Sequence, residues 1–160
     1  MNTEQNSAGL TLKAATAAEL MTENPVSIRA DALVSDAVKL LAAKGISAAP
    51  VIDETGRPVG VVSQSDIVTH EGAKQAVPHH FYAESAPGSS AARQGRSPQA
   101  DSARVRDIMT PAIFSVVPHA PARKVVEEMV ALRVHRLFVV DPSGVLVGII
   151  SAFDILRRLV

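Results

Sequence analysis

Two short motifs carry the side chains with the clearest chemical potential in this chain. Ser63-Gln-Ser65-Asp66 and Ser151-Ala-Phe-Asp154 each place a serine three residues before an aspartate. A carboxylate can accept hydrogen bonds from two hydroxyl groups together, and a serine beside the free N–H groups of a helix start suits a phosphate. The same spacing also caps helices, because the serine oxygen accepts a hydrogen bond from a first-turn N–H group. Capping and ligand binding both stay open from the motifs alone.

The remaining candidates for catalysis or metal binding are weak. His79 and His80, with His70 nearby, lack the fixed spacing and partner acids of a metal site. Ser151, His135 and Asp154 include the residue types of a catalytic triad, but no nucleophile elbow surrounds the serine. The chain has no cysteine and no glycine-rich phosphate loop. We therefore predict no catalytic residue, no metal site and no enzymatic activity.

The composition limits the partners that the protein can bind. Of the 160 residues, 47% are hydrophobic, which excludes global disorder. Lys and Arg together number 16, as do Asp and Glu, and aromatic residues make up 3%. A neutral chain with few aromatic residues disfavours binding to nucleic acid or to anionic membranes. No signal peptide or membrane-spanning segment is visible in the sequence, so we expect a cytoplasmic protein.

Both motifs lie within two copies of one longer unit. Shifting the chain by 88 residues aligns the segment 21–67 with 109–155 without a gap. The matched pairs include Met21 with Met109, Thr22 with Thr110, Val51 with Val139, Asp53 with Asp141, Gly56 with Gly144, Gly60 with Gly148, Ser63 with Ser151, and Asp66 with Asp154. A constant register across so many positions indicates an internal repeat.

Each copy has the pattern of a β-α-β-β-α unit. Short apolar stretches at 26–28 and 114–117 predict a first strand, and an apolar periodicity predicts a helix after each of them. Ser35 is a candidate cap for the first helix, and Pro121 suits the opening of its counterpart. Two further strands flank turns at Gly56 and Gly144, where a positive φ is available. A closing helix should begin near Ser63 or Ser151.

The predicted fold class is α+β. One unit of this size buries too little surface to be stable alone, so we expect two units that share one core and pack sheet to sheet about a pseudo-two-fold axis. The expected organisation is a flexible tail (1–12), a first repeat (13–70), a flexible linker (71–103) and a second repeat (104–160). The linker is predicted from its richness in Ala, Ser, Gly, Pro and Gln.

Each copy resembles a CBS domain, and the pair resembles a Bateman module. The motifs that carry the resemblance are Leu-Met-Thr at 20–22 with Ile-Met-Thr at 108–110, the strands that end at Asp53 and Asp141, and the segments 60–66 and 148–154. They cover about residues 15–70 and 104–160. The resemblance implies two clefts between the repeats that hold adenosine-containing ligands, and a homodimer.

The resemblance also implies which residues line the two clefts. In one cleft, Ser63, Ser65 and Asp66 would face Thr110, Val134, His135 and Arg136. In the other, Ser151 and Asp154 would face Thr22, Ile46, Ser47 and Ala48. Each aspartate would accept the vicinal hydroxyls of a ribose, and Arg136 would grip a phosphate. The second cleft has no arginine at the matching position, and Phe153 replaces Ser65 there, so we expect it to be the poorer phosphate site.

The sequence therefore favours a regulatory module that senses an adenine nucleotide and signals to an unidentified effector protein. AMP, ADP or ATP in the Asp66 cleft is the preferred ligand, with NAD or S-adenosylmethionine as alternatives and no resident cofactor. The competing interpretation is a dimerisation or interaction scaffold whose clefts bind no ligand.

Overall fold

Each repeat folds into the predicted order of elements in a computed structural model that describes residues 9–75, 102–111 and 114–160. Each repeat is preceded by a short helix, and the first repeat also by a short strand. The elements are α1 (Ala17–Leu20), β1 (Thr22–Glu23), β2 (Ile28–Arg29), α2 (Val34–Lys44), β3 (Ala48–Ile52), β4 (Pro58–Ser63), α3 (Gln64–Gln75), α4 (Val105–Ile108), β5 (Ser115–Val116), α5 (Ala122–Leu132), β6 (Arg136–Val140), β7 (Leu146–Ser151) and α6 (Ala152–Leu156). The α+β class and the β-α-β-β-α order are confirmed.

The two repeats have the same strand pairing. In the first, β2 runs parallel to β3, which runs antiparallel to β4. In the second, β5, β6 and β7 repeat that pattern. Even the irregularities match, because a register shift follows Val51 in one repeat and Val139 in the other. The predicted turn glycines adopt φ values of 83° at Gly56 and 82° at Gly144, a region that side chains disfavour.

The short helix that precedes each repeat packs into the other repeat. Ala17 and Leu20 of α1 are buried in a cluster that is otherwise built from β5, α5, β6 and β7. Val105 of α4 is buried among residues of β2, α2, β3 and β4. Most of the buried residues thus form two clusters, one in each repeat, and not the one shared core that the sequence predicts. Each cluster needs a helix from the other half of the chain, which still makes the repeats interdependent.

Main-chain hydrogen bonds fix this exchange and explain why one predicted helix cap is not used. The N–H group of Val34, the first residue of α2, donates to the carbonyl of Ala103 at 3.0 Å. Ala122 at the start of α5 donates equivalently to Ala15 at 2.9 Å. Because the other half of the chain supplies an acceptor there, α2 begins after Leu33 with no side-chain cap, and the prediction for Ser35 was wrong. Pro121 directly precedes α5, as predicted.

The two Met-Thr segments extend the exchange to the sheets. Thr22 of β1 pairs antiparallel with Ile149 of β7, and Thr110 pairs with Val61 of β4 by an equivalent bridge. These reciprocal contacts are the signature of the pseudo-two-fold relation that the sequence predicts. They bring each threonine to the strand that leads into the Ser-x-x-Asp motif of the other repeat.

The turns also touch, but not symmetrically. The N–H group of Leu146 donates to the carbonyl of Gly56 at 3.0 Å. The matching residue in the first repeat is Pro58, which has no N–H group to donate. Instead, Nε of Arg57 donates to the carbonyl of Ser143 at 3.1 Å.

The predicted boundaries differ from the structure in two places. Thr11, assigned to the flexible tail, exchanges two main-chain hydrogen bonds with Val160, so the N-terminal segment is paired from that residue onward. Helix α3 extends to Gln75, five residues past the expected end of the first repeat. Most of the predicted linker, along with His79 and His80, lies outside the described residues. Within the described part, no helix is long and apolar enough to cross a membrane.

Candidate functional site

Both Ser-x-x-Asp motifs cap their helices. Oδ2 of Asp66 accepts hydrogen bonds from the N–H and hydroxyl groups of Ser63, both at 2.7 Å. Oδ2 of Asp154 accepts the same pair from Ser151 at 2.8 and 2.5 Å. Each serine oxygen in turn lies 3.3 Å from the aspartate N–H group that donates to it. Capping is therefore a real role of these residues, and it occupies only one carboxylate oxygen of each aspartate.

The second carboxylate oxygen differs between the two motifs. Oδ1 of Asp66 accepts a long hydrogen bond of 3.4 Å from the hydroxyl of Thr110. For Oδ1 of Asp154, no donor is found among the described residues. A carboxylate that is already oriented by its cap, with one oxygen open, is prepared to accept hydroxyl hydrogen bonds from a ligand.

A cavity of about 500 Å³ lies beside Asp154, and we call it the Asp154 cleft. All six residues predicted for this cleft line it. Its lining also includes apolar residues from both repeats and two arginines from the second repeat. The full lining is Thr22, Pro25, Val26, Gly45, Ile46, Ser47, Ala48, Pro50, Arg136, Ile149, Ser151, Asp154 and Arg157.

The local fold explains how the two repeats meet at this cleft. Gly45 ends α2 with a φ of 62°, which turns the chain so that residues 46–48 lead into β3. Thr22 reaches the cleft because β1 pairs with β7 of the second repeat. Asp154 is held by its cap at the start of α6. The cleft therefore exists only where the halves of the chain are in contact.

Contrary to the sequence prediction, the Asp154 cleft is not poor in basic groups. Arg136 lies directly opposite Ser151 in the pairing of β6 with β7, which brings it to this cleft. Arg157 directly follows the last residue of α6, three residues after Asp154, and both residues line this cleft. Its guanidinium carbon lies 5.6 Å from the centre of the Phe153 ring. No side-chain hydrogen bond or ion pair joins Arg136 to another described residue, so its guanidinium is available to an anion.

A second cavity, of about 560 Å³, is the pseudo-symmetric counterpart of the first. We call it the aromatic cleft, because Phe114, Phe138 and Phe153 line it. The predicted residues Val134, His135 and Arg136 line it as well, together with Val61, Ser151 and Ala152.

The other residues predicted for the Asp66 cleft do not line this cavity. Ser63, Ser65, Asp66 and Thr110 are absent from the lining of the aromatic cleft. They stay close to it, because Thr110 pairs with the lining residue Val61 through main-chain bonds of 3.0 and 2.9 Å. Phe153 also differs from expectation, since it lines the aromatic cleft and not the Asp154 cleft. In the sequence, the signal that marks Arg157 is its spacing of three residues from Asp154.

The CBS domain family matches this chain twice, at residues 17–72 and 105–160. These segments correspond to the two repeats, and they include the exchanged helices α1 and α4. The chain belongs to the CBS-domain family and carries the domain in tandem.

Individual relatives agree with this assignment. The uncharacterised protein MJ1426 of Methanocaldococcus jannaschii is 29% identical over 86% of this chain and 88% of its own length. The gamma-3 subunit of the 5'-AMP-activated protein kinase of Sus scrofa is 30% identical over 78% of this chain. That alignment spans about a fifth of the kinase subunit (21%).

Solved structures share the fold. The crystal structure of CBSX2 in complex with AMP superposes with a TM-score of 0.64 and 26% identity, over 90% of this chain and 95% of that one. A CBS domain-containing protein of unknown function from Bacillus anthracis has a TM-score of 0.67 at 18% identity, over 91% and 93% of the two chains. The second likeness shows the fold alone.

Proposed function

We propose that this protein is a regulatory module that binds an adenosine nucleotide, with AMP as the first choice, in the Asp154 cleft. The observation that carries the proposal is the meeting of one open carboxylate oxygen on Asp154 with the guanidinium groups of Arg136 and Arg157 in a single cavity. The proposed site thus moves from the Asp66 cleft, which the sequence favoured, to its counterpart.

Each part of AMP has a matching surface in this cleft. Oδ1 of Asp154 would accept the two ribose hydroxyls, and the two arginines would bind the phosphate, with bidentate contacts available to each. Ile46 and Val26 offer apolar surface to the adenine ring. A volume of about 500 Å³ lies within the range of small-molecule sites. The crystal structure of CBSX2 contains AMP, which supports an adenosine ligand in a related pair of repeats.

Ligand binding in this cleft can change the relative arrangement of the two repeats, because each repeat forms one wall of the cleft. The wall formed by Ile46, Ser47 and Ala48 belongs to the first repeat, and Ser151 and Asp154 belong to the second. A ligand that contacts both walls favours the arrangement in which both contacts are made, and it shifts the population by that difference in affinity. We propose that an effector protein detects this arrangement.

A thermal-shift and calorimetric panel with AMP, ADP, ATP, NAD and S-adenosylmethionine tests the proposal. AMP at a hundred times its Kd should stabilise the fold by about 2.7 kcal/mol, or roughly 5–11 °C for a chain of this length. The matched pair of variants is Asp154→Asn and Asp66→Asn, because the two aspartates cap their helices with the same set of hydrogen bonds. Both should lower the melting temperature of the free protein by similar amounts.

Only Asp154→Asn should also reduce the response to AMP. A response that is lost in Asp66→Asn and kept in Asp154→Asn would place the nucleotide at the other aspartate. Wild-type protein that ignores all five ligands would contradict the sensing function and favour the scaffold interpretation.

One surface specifically supports the scaffold as a second candidate function. Val130 and Leu156 are 73% and 58% exposed, and they line an apolar groove between α5 and α6 together with Val126 and Ile155. Exposed apolar patches of this kind mark interaction surfaces. If the groove holds a second copy of the chain, Val130→Lys should convert a dimer to a monomer in analytical ultracentrifugation. Wild-type protein that sediments as a monomer would contradict the predicted homodimer.

A further inference from the structure

Two residues line both clefts at once. Arg136 and Ser151 face each other across β6 and β7, and both contribute to the Asp154 cleft and to the aromatic cleft. The position that matches Arg136 in the first repeat is Ala48, which lies opposite Ser63. Among the described residues, one guanidinium therefore lies between these two clefts, where full symmetry would provide two.

When Arg136 binds a phosphate in one cleft, the two clefts differ in the other polar and charged residues that they offer to a ligand. The Asp154 cleft keeps a second arginine, Arg157, and a carboxylate. The aromatic cleft keeps three phenylalanines and His135, and no other arginine or lysine of the described segments lines it. Aromatic rings offer stacking surface to a planar base, but they give no charge to balance a phosphate.

We propose that the two clefts compete for Arg136, so that AMP in the Asp154 cleft weakens the binding of a second phosphorylated ligand in the aromatic cleft. The aromatic cleft is then a site for an uncharged adenosine-type ligand when AMP is bound. This inference rests on the proposed AMP site. Its physical basis is that one guanidinium binds the oxygens of one phosphate bidentately, and two phosphates on either side of it repel each other.

Isothermal titration with AMP and with adenosine tests the competition. AMP should bind in two steps, the second about tenfold weaker, which is the effect of losing one hydrogen-bonded charge contact. Adenosine titrated into protein that holds one equivalent of AMP should occupy the aromatic cleft, and Phe114→Ala should weaken that step. Phe114 suits this test because 42% of its surface is exposed, which makes the fold tolerant of its truncation.

Adding an arginine at residue 48 and removing the one at residue 136 test whether the weaker second AMP step arises from sharing Arg136 or from steric overlap of two bound ligands. Ala48→Arg adds a guanidinium at the matching position, so the ratio of the two AMP affinities should fall toward one. Arg136→Gln should weaken the first AMP step about tenfold. Arg158→Gln is the matched control, because Arg158 is exposed and lines neither cleft.

The possible outcomes separate this inference from the proposed function. Two equal and independent AMP sites, unaffected by Ala48→Arg, would overturn the competition while leaving the AMP site intact. An AMP affinity that Arg136→Gln does not change would also overturn it. A protein that binds no AMP at all would contradict both the proposed function and the competition.

Discussion

Two glycines at matching positions should respond differently to the same substitution. At Gly60, an added Cβ atom would lie 2.7 Å from the carbonyl oxygen of Thr110 and 3.0 Å from Sδ of Met109. At Gly148, the three nearest atoms all belong to the side chain of Met21, and Cγ lies 2.9 Å away. The first clash is with backbone, whereas the second is with a flexible side chain that can rotate.

The backbone at Thr110 cannot move at low cost. Its N–H and carbonyl groups are bonded to Val61 at 2.9 and 3.0 Å, so relief of the clash weakens two hydrogen bonds in addition to overpacking the interface. We expect Gly60→Ala to lower the free energy of unfolding by about 3 kcal/mol. Gly148→Ala should lower it by about 1 kcal/mol, since Met21 can repack.

Thermal melts followed by circular dichroism, with urea denaturation as a second measurement, test this difference. For a protein of this length, 1 kcal/mol corresponds to about 2–4 °C. The melting temperature should therefore fall by roughly 6–12 °C in Gly60→Ala and by roughly 2–4 °C in Gly148→Ala. Equal decreases, or a larger decrease in Gly148→Ala, would refute the assignment of the Thr110 backbone as the rigid contact.

Three further variants test other parts of the structure. Leu20→Ala should lower the free energy of unfolding by about 2–5 kcal/mol. Hydrogen exchange should then accelerate first in β6 and β7, because α1 packs against the second repeat. Acceleration in β3 and β4 instead would contradict the helix exchange. Arg133→Gly should raise stability by about 0.5–1 kcal/mol in urea denaturation, because Arg133 adopts a φ of 54° where the first repeat has Gly45. A loss of stability would show that its side chain contributes more than the strain costs. The hydroxyl of Thr55 and the N–H groups of Arg57 and Thr55 lower the pKa of Asp53. The stability that Asp53 contributes is thus fully present above about pH 4, its unfolded pKa, and is lost as pH falls through its lower native pKa. Asp53→Asn should flatten the acid limb of the stability curve, and an unchanged limb would contradict that role.

Much of the fold follows from short-range patterns in the sequence. The 88-residue register predicts two equal units, and the turn glycines take the positive φ expected of them. The closing helices begin directly after Ser63 and Ser151, as predicted. These features depend on residues close together in the chain. The first strands were placed only approximately, because β2 spans Ile28–Arg29 and β5 spans Ser115–Val116.

The helix exchange could not be predicted, because its evidence is not in the side chains. Ala17 and Leu20 would be apolar and buried whichever repeat they joined. The bonds that decide the matter, from Val34 to Ala103 and from Ala122 to Ala15, use main-chain atoms alone. Side-chain patterns do not indicate which carbonyl group accepts the hydrogen bond of a given N–H group when the two residues are far apart in the sequence.

The site was predicted in part for the same reason. The six residues assigned to the Asp154 cleft do line it, but the pairing of Arg136 with Ser151 determines that one arginine serves both cavities. A motif comparison assigns each residue to one cleft, and only the register of β6 against β7 shows that Arg136 lies between them. The homodimer, the effector protein and the cytoplasmic location stay predictions from the sequence.

A crystal structure of the protein grown with AMP tests the central claim most directly. We predict electron density for one AMP in the Asp154 cleft, with the ribose hydroxyls within hydrogen-bond distance of Oδ1 of Asp154 and the phosphate in contact with Arg136 and Arg157. Density for AMP at any other position, with the Asp154 cleft empty, would contradict the account.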